Sequence, residues 1–182
     1  MPNFFKGTIL LSTFLALYLI LGPMSIAVRG ELIEQPDSMF KKPYIEILVP
    51  SSIFIYITTL YVLYSIRFVE LPIGTLKTLL IIGISLFFDF GSRILVSKHL
   101  DTRIRSTGPF AVVTSLLCLY CILYPTYKST IVPINDKLAM FIVVLVSGLF
   151  DDLLAVVPVI CGILSFILIS PVIIPIEKDK NI

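Results

Sequence analysis

Six apolar runs, separated by short charged segments, constrain this chain more than any other feature. The mean hydropathy is +1.02, and 57% of the 182 residues are hydrophobic whereas only 14% are charged. Ordinary soluble domains carry about 25% charged residues, so a soluble core of this size has too little interior for so much apolar surface. A membrane helix needs about 20 mostly apolar residues. The sequence predicts six such helices, at residues 8–27, 45–66, 76–96, 110–124, 138–150 and 153–174.

These runs indicate an all-α membrane protein with one transmembrane domain, residues 1–176, followed by a short polar tail, 177–182. Asp151 and Asp152 separate the last two runs, and two adjacent carboxylates are costly within lipid. We therefore expect a surface turn there. Helix five is then short, and the bilayer around it is expected to be thin or deformed.

The first run fits two interpretations. Lys6, the apolar stretch after it, Gly22-Pro23 and the small residues up to Ala27 also follow the order of a cleavable signal peptide. The apolar stretch is long for a signal core, which favours a retained helix. The mixed segment 28–43 has the charged and apolar composition of a segment lying in the membrane interface.

The charges and cysteines exclude several classes of function. The net charge of +2 provides no basic surface for nucleic acid. The 14 Lys and Arg residues divide equally between the two sides of a six-helix topology, so they indicate no orientation. Cys118, Cys121 and Cys161 lie in apolar runs without nearby histidines, which is typical of small apolar residues in membrane helices. We expect no metal and no cofactor.

Two charge pairs lie beside or within the predicted helices. Arg67 and Glu70 are three positions apart at the end of helix two, and Asp89 and Arg93 are four apart in helix three. Both spacings place the partners on one face of a helix. An acid within the membrane is a functional candidate by default. A paired acid one turn from the membrane interface is also typical of a structural anchor, and we expect a structural or partner-contact role.

Short motifs with a consistent order give a further indication. They are Arg67-Phe68-Val69-Glu70, Gly74 with Thr75 and Lys77, Phe88-Asp89-Phe90, Gly108-Pro109-Phe110-Ala111, Asn135-Asp136-Lys137, and Pro158 with Gly162. Together they resemble rhomboid-like proteins with a C-terminal ubiquitin-associated domain, over about residues 8–170. The chain departs from that pattern at Leu71, where the family has a second Arg, and at Ser165, near the family's last Gly.

This resemblance implies a six-helix rhomboid-like bundle, related to the derlins. Members of this family look like pseudoproteases that belong to membrane ubiquitin-ligase complexes. One is the rhomboid-like subunit of the Dsc ligase, and another is its animal counterpart in endoplasmic-reticulum quality control. The resemblance therefore implies a multi-pass protein of the endoplasmic reticulum or Golgi, with a RING-type ligase and a UBX-type adaptor as partners. Residues 177–182 follow helix six directly, so we expect no ubiquitin-associated domain in this chain.

The resemblance also implies that the chain is not a protease. Rhomboid proteases use a Ser in helix four, activated by a His in helix six. The alignment places Thr107 and Val159 at these positions, and Val cannot accept a proton. The single His of the chain, His99, precedes helix four.

The sequence thus predicts a non-catalytic membrane scaffold. Alternatives are a small transporter or channel subunit, and a rhomboid-like cargo-retention protein unconnected to ubiquitin. The candidates for structural or partner-contact roles are Arg67, Glu70, Asp89, Arg93, Gly108, Asp136, Lys137 and Gly162.

Overall fold

The computed structural model describes residues 9–33, 47, 50, 52–99, 108–124, 136–151 and 153–173, which form six principal helices. These are α1 (Ile9–Ile33), α2 (Ile53–Ile66), α3 (Thr75–His99), α4 (Phe110–Leu123), α5 (Asp136–Asp151) and α6 (Val156–Ile173). A 3₁₀ turn, Arg67–Val69, and a four-residue helix, Glu70–Ile73, continue α2 as far as Gly74. The all-helical class predicted from the apolar runs is confirmed.

The predicted second helix starts at residue 45, but residues 45, 46, 48, 49 and 51 lie outside the described residues, and Ile47, between them, is helical. The helix begins at Ile53, where the Ser52 side chain accepts a hydrogen bond at 3.3 Å from the backbone N–H of Ile55. A hydroxyl at this position satisfies an amide that the first turn leaves without a partner. The helix α1 continues to Ile33. Residues 28–33, which were expected to belong to an interfacial segment, therefore extend the first helix.

The last two helices are separated close to the predicted position. The helix α5 ends at Asp151, and a 3₁₀ turn, Leu153–Ala155, leads into α6. Asp152, the second residue of the predicted turn, lies outside the described residues. The polar tail and the end of the predicted sixth helix beyond Ile173 also lie outside them.

The centre of the bundle is α4. It packs against α6, α3, α2 and α5, and its side chains from Phe110 to Leu117 are all buried. The helix α1 lies at the edge, mainly against α2, with a smaller contact to α3. The helices α3 and α6 pack along each other and enclose one side of α4.

The bundle buries polar side chains and exposes large apolar ones. Buried polar or charged residues are Thr58, Thr59, Glu70, Thr78, Ser85, Asp89, Arg93, Thr114, Ser115 and Ser165. Exposed apolar residues include Leu76 at 81%, Phe87 at 73% and Val172 at 67% relative exposure. A water-soluble fold does not present so many large apolar side chains around its surface, whereas a lipid-facing fold does.

Three helices of the described chain are long and apolar enough to cross a membrane. They are Ile53–Ile73, Thr75–His99 and Leu153–Ile173, and Ile9–Ile20 and Phe110–Leu123 are shorter apolar helices. Six spanning helices were predicted, and α4, with 14 residues, is about 21 Å long at 1.5 Å per residue. That length is shorter than the roughly 30 Å of a hydrocarbon core.

Candidate functional site

The Glu70 carboxylate joins the N-terminus of α1 to the end of α2. Its Oε2 accepts a hydrogen bond at 2.9 Å from the backbone N–H of Leu11, and Oε1 accepts one at 3.2 Å from Leu10. The Thr75 hydroxyl donates to Oε1 at 2.8 Å. The first amides of a helix have no intrahelical partner and carry partial positive charge. A carboxylate that is only 1% exposed therefore caps α1, and each of its oxygens accepts at least one hydrogen bond.

Arg67, the other member of the predicted pair, has different partners. Its guanidinium lies over the ring of Tyr64, 3.7 Å from the centroid, and over the ring of Phe68 at 4.3 Å. Its Nη1 donates to the Tyr64 carbonyl at 2.6 Å. The two charges thus serve separate contacts: Glu70 holds α1, and Arg67 covers the aromatic end of α2.

Asp89 and Arg93 form the ion pair that their spacing predicts. Arg93 Nε donates to Asp89 Oδ1 at 3.0 Å, and the two side chains are 0% and 3% exposed for Asp89 and Arg93, respectively. The pair lies within α3, with Asp89 about 15 Å along the axis from the end at His99 and about 21 Å from the start at Thr75. Because α3 extends to His99, Asp89 is deeper than a helix ending at residue 96 would place it.

The surroundings of the ion pair come from α6 as well as α3. The thiol of Cys161 on α6 lies within electrostatic range of Ser92, Asp89 and Arg93 on α3. One turn further along α6, the Ser165 hydroxyl donates to the Cys161 carbonyl at 2.6 Å. The polar contact between α3 and α6 is therefore built from a charged pair, a thiol and hydroxyls.

Sequence reasoning missed a set of buried hydroxyls on α3 and α4. Ser85 on α3, and Thr114 and Ser115 on α4, are fully buried, and their hydroxyl oxygens have no hydrogen-bond partner within the described segments. Asp89 Oδ2 shares this property. On α3 the buried polar residues form one polar stripe, consisting of Thr78, Ser85, Asp89 and Arg93. Their spacing of seven, four and four positions is the helical periodicity that would have identified the stripe.

Gly108 and Gly162 are positions where a larger residue does not fit. Gly108 has a φ of +65°, and a Cβ there would lie 3.0 Å from the hydroxyl of Tyr18. A Cβ on Gly162 would collide with the Ala111 carbonyl oxygen and lie 2.8 Å from Thr114 Cβ. These glycines fix the entry to α4 and the close approach of α6 to α4.

The remaining predicted residues are dispersed. Val159 is buried in α6, and His99 is exposed at the end of α3. Asp136 and Lys137 begin α5, and Thr107 lies outside the described residues. Among the positions that the structure describes, no three His, Cys, Asp or Glu residues are grouped so that they could hold a metal ion.

No family model, no curated protein and no solved structure matches the chain.

Proposed function

We propose that this chain is a non-catalytic, rhomboid-like membrane scaffold. It would be a multi-pass subunit of a membrane-embedded E3 ubiquitin ligase or membrane-protein quality-control complex of the endoplasmic reticulum or Golgi. The observation that carries the proposal is the role of Glu70. This residue belongs to the Arg67–Glu70 motif of the resemblance, and all its hydrogen bonds within the bundle hold helices together.

Other motif positions support the same interpretation. Asp89 is paired within α3, Gly108 allows the turn into α4, and Gly162 allows α6 to approach Ala111. Each contributes to the assembly of the bundle, and none presents a nucleophile beside a base. A protein whose shared motif residues maintain its architecture fits a binding scaffold better than an enzyme.

The absence of protease activity is part of the proposal. The only His in the sequence is His99, which lies exposed at the end of α3. The position proposed for the catalytic base is Val159, an apolar residue within the core. A Ser–His mechanism requires a base within hydrogen-bond reach of the nucleophile, and Val159 offers none.

The short helices suggest a physical contribution to the bilayer. The helix α5 has 16 residues, about 24 Å, and it exposes Leu138, Ile142 and Leu145 on its outer face. A lipid-facing helix shorter than about 30 Å is accommodated when the bilayer thins beside it. A thinned bilayer reduces the cost of moving a polar segment of another membrane protein, which is the task expected of a quality-control scaffold.

A transporter or channel subunit is the principal alternative. A proton or ion path requires several titratable groups in series through the membrane. Asp89 is held by Arg93 on its own helix, and Glu70 is saturated by three donors at the end of the bundle. Both acids therefore favour a scaffold over a conduction path.

The proposal is tested by identifying the proteins that co-purify with the chain. The protein would carry a C-terminal tag, be extracted in a mild detergent, and be analysed by quantitative mass spectrometry beside an unrelated tagged multi-pass protein. Enrichment of a RING-type ligase and a UBX-type adaptor is the expected result. Absence of every ligase component, while known membrane complexes survive the same extraction, would refute the ubiquitin assignment.

A further inference from the structure

The two carboxylate oxygens of Asp89 have unequal surroundings. Oδ1 accepts from Arg93 Nε at 3.0 Å, whereas Oδ2 has no partner among the described residues, although the side chain is fully buried. A buried carboxylate oxygen without a donor is costly. Only one of the two oxygens of the Asp89 carboxylate therefore accepts a hydrogen bond from the described residues.

A second polar atom without a partner lies one turn away on the same face. Ser85 precedes Asp89 by four positions in the polar stripe, and its hydroxyl is buried and without a partner in the described segments. Residues four apart on a helix have Cβ atoms about 5–6 Å apart. Ser85 Oγ and Asp89 Oδ2 do not hydrogen-bond to each other, and polar groups one helical turn apart are close enough for one small molecule to make a hydrogen bond of about 2.8 Å to each.

The chemistry of this position selects the molecule. It must donate to Asp89 Oδ2, and it must donate to or accept from the Ser85 hydroxyl. A monovalent cation would add a buried charge, because the Arg93 guanidinium already balances the carboxylate. A neutral hydrogen-bond donor such as water adds no charge. Immobilising a water molecule also costs less free energy than leaving a buried polar atom without a hydrogen bond.

We propose that Ser85 and Asp89 bind a buried water molecule in the interior of the bundle. The water donates one hydrogen to Asp89 Oδ2 and contacts the Ser85 hydroxyl. Buried waters usually have about three polar partners. The helix α4 packs against α3 and carries Thr114 and Ser115, whose buried hydroxyls also have no described partner. The site is independent of the ubiquitin assignment, because it depends only on how α3 packs in the bundle.

This water has a structural consequence for the ion pair. With Oδ2 hydrogen-bonded, both oxygens of Asp89 are satisfied, so the ionised carboxylate is maintained at depth in α3. Removal of the Ser85 hydroxyl would leave the water with one partner fewer and weaken its hold on Asp89. Removal of the Ser165 hydroxyl is the matched control, because that group is equally buried and is bonded within α6 to the Cys161 carbonyl.

The test compares thermal unfolding of the purified full-length protein in detergent for wild type, Ser85→Ala and Ser165→Ala. Both substitutions change helix propensity equally, so their difference reports the environment of the hydroxyl. We expect Ser85→Ala to lower the Tm by about 2–4 °C relative to wild type, a loss of the same sign as that of Ser165→Ala, whose hydroxyl makes a hydrogen bond. A Ser85→Ala protein with a Tm equal to or above that of wild type would overturn the proposal, because removing a dry, unpaired hydroxyl stabilises a protein.

A high-resolution density map of the wild-type protein provides the second readout. The proposal requires a solvent peak within hydrogen-bond distance of both Asp89 Oδ2 and Ser85 Oγ. Direct contact between these two atoms, or an empty space beside Oδ2, would overturn it whatever the Tm values are. This readout also separates a bridging water from a direct Ser85–Asp89 hydrogen bond, since both would make Ser85→Ala destabilising.

Discussion

The carboxylate of Glu70 accepts a hydrogen bond at 2.9 Å from the backbone N–H of Leu11, which lies 59 positions earlier in the chain. This contact closes the bundle between its first helix and the junction of α2 with α3. The helix α1 lies mainly against α2, and Leu11 in its first turn is buried in the core. Glu70 therefore fixes the first turn of α1 together with this apolar packing.

Replacement of Glu70 by Ala is expected to destabilise the protein by about 2 kcal/mol, because it removes a helix cap and leaves buried amides without an acceptor. Glu70→Gln retains one carbonyl oxygen as an acceptor and is expected to lose less. Thermal unfolding in detergent measures both effects. If the two variants unfold at the wild-type temperature, the cap does not contribute to the stability of the bundle.

The Asp89–Arg93 pair is expected to show strong non-additivity. Asp89→Leu or Arg93→Met alone leaves one buried charge, at a cost of about 3–5 kcal/mol. The double variant removes both charges and is expected to recover most of that loss. A double-mutant cycle measured by unfolding in detergent provides the comparison. Losses that simply add in the double variant would contradict a structural ion pair.

Two glycines form a matched pair for testing the packing of α6 on α4. Gly162→Ala places a methyl group against Ala111 and Thr114, and we expect destabilisation of about 1–3 kcal/mol from overpacking. Gly83 is also helical, but a Cβ there meets nothing within 4 Å. Gly83→Ala is therefore expected to stabilise the protein by about 0.5–1 kcal/mol.

The prediction is that Gly162→Ala and Gly83→Ala change the stability of the protein in opposite directions. The unfolding temperatures of the two variants, measured side by side, test it. Equal shifts would show that α6 does not approach α4 as closely as Gly162 and Ala111 indicate.

Local patterns in the sequence predicted the features that depend on local geometry. The apolar runs located the helices, and the four-residue spacing of Asp89 and Arg93 predicted their contact. The shared face of Arg67 and Glu70 did not lead to a pair, because aromatic rings and a distant helix terminus compete for them. Sequence reasoning also did not single out Ser52 as the N-cap of α2.

Contacts between segments that are distant in the sequence could not be predicted from local patterns. The cap of α1 by Glu70 requires the end of α2 to lie beside the start of α1, and hydropathy carries no information about that arrangement. Ser85, Thr114 and Ser115 were not singled out from the sequence. Their burial became evident only when α3, α4 and α6 were packed together.

The central claim is that the buried polar contacts of this chain maintain a scaffold for other membrane proteins. The most direct measurement is the recovery of co-purifying ligase subunits with tagged wild type, Glu70→Ala and the control Gly83→Ala, normalised to the amount of tagged protein. A loss of about 1 kcal/mol of binding free energy corresponds to roughly fivefold lower affinity. The account predicts at least that decrease for Glu70→Ala and wild-type recovery for Gly83→Ala. Equal recovery with all three proteins would contradict it.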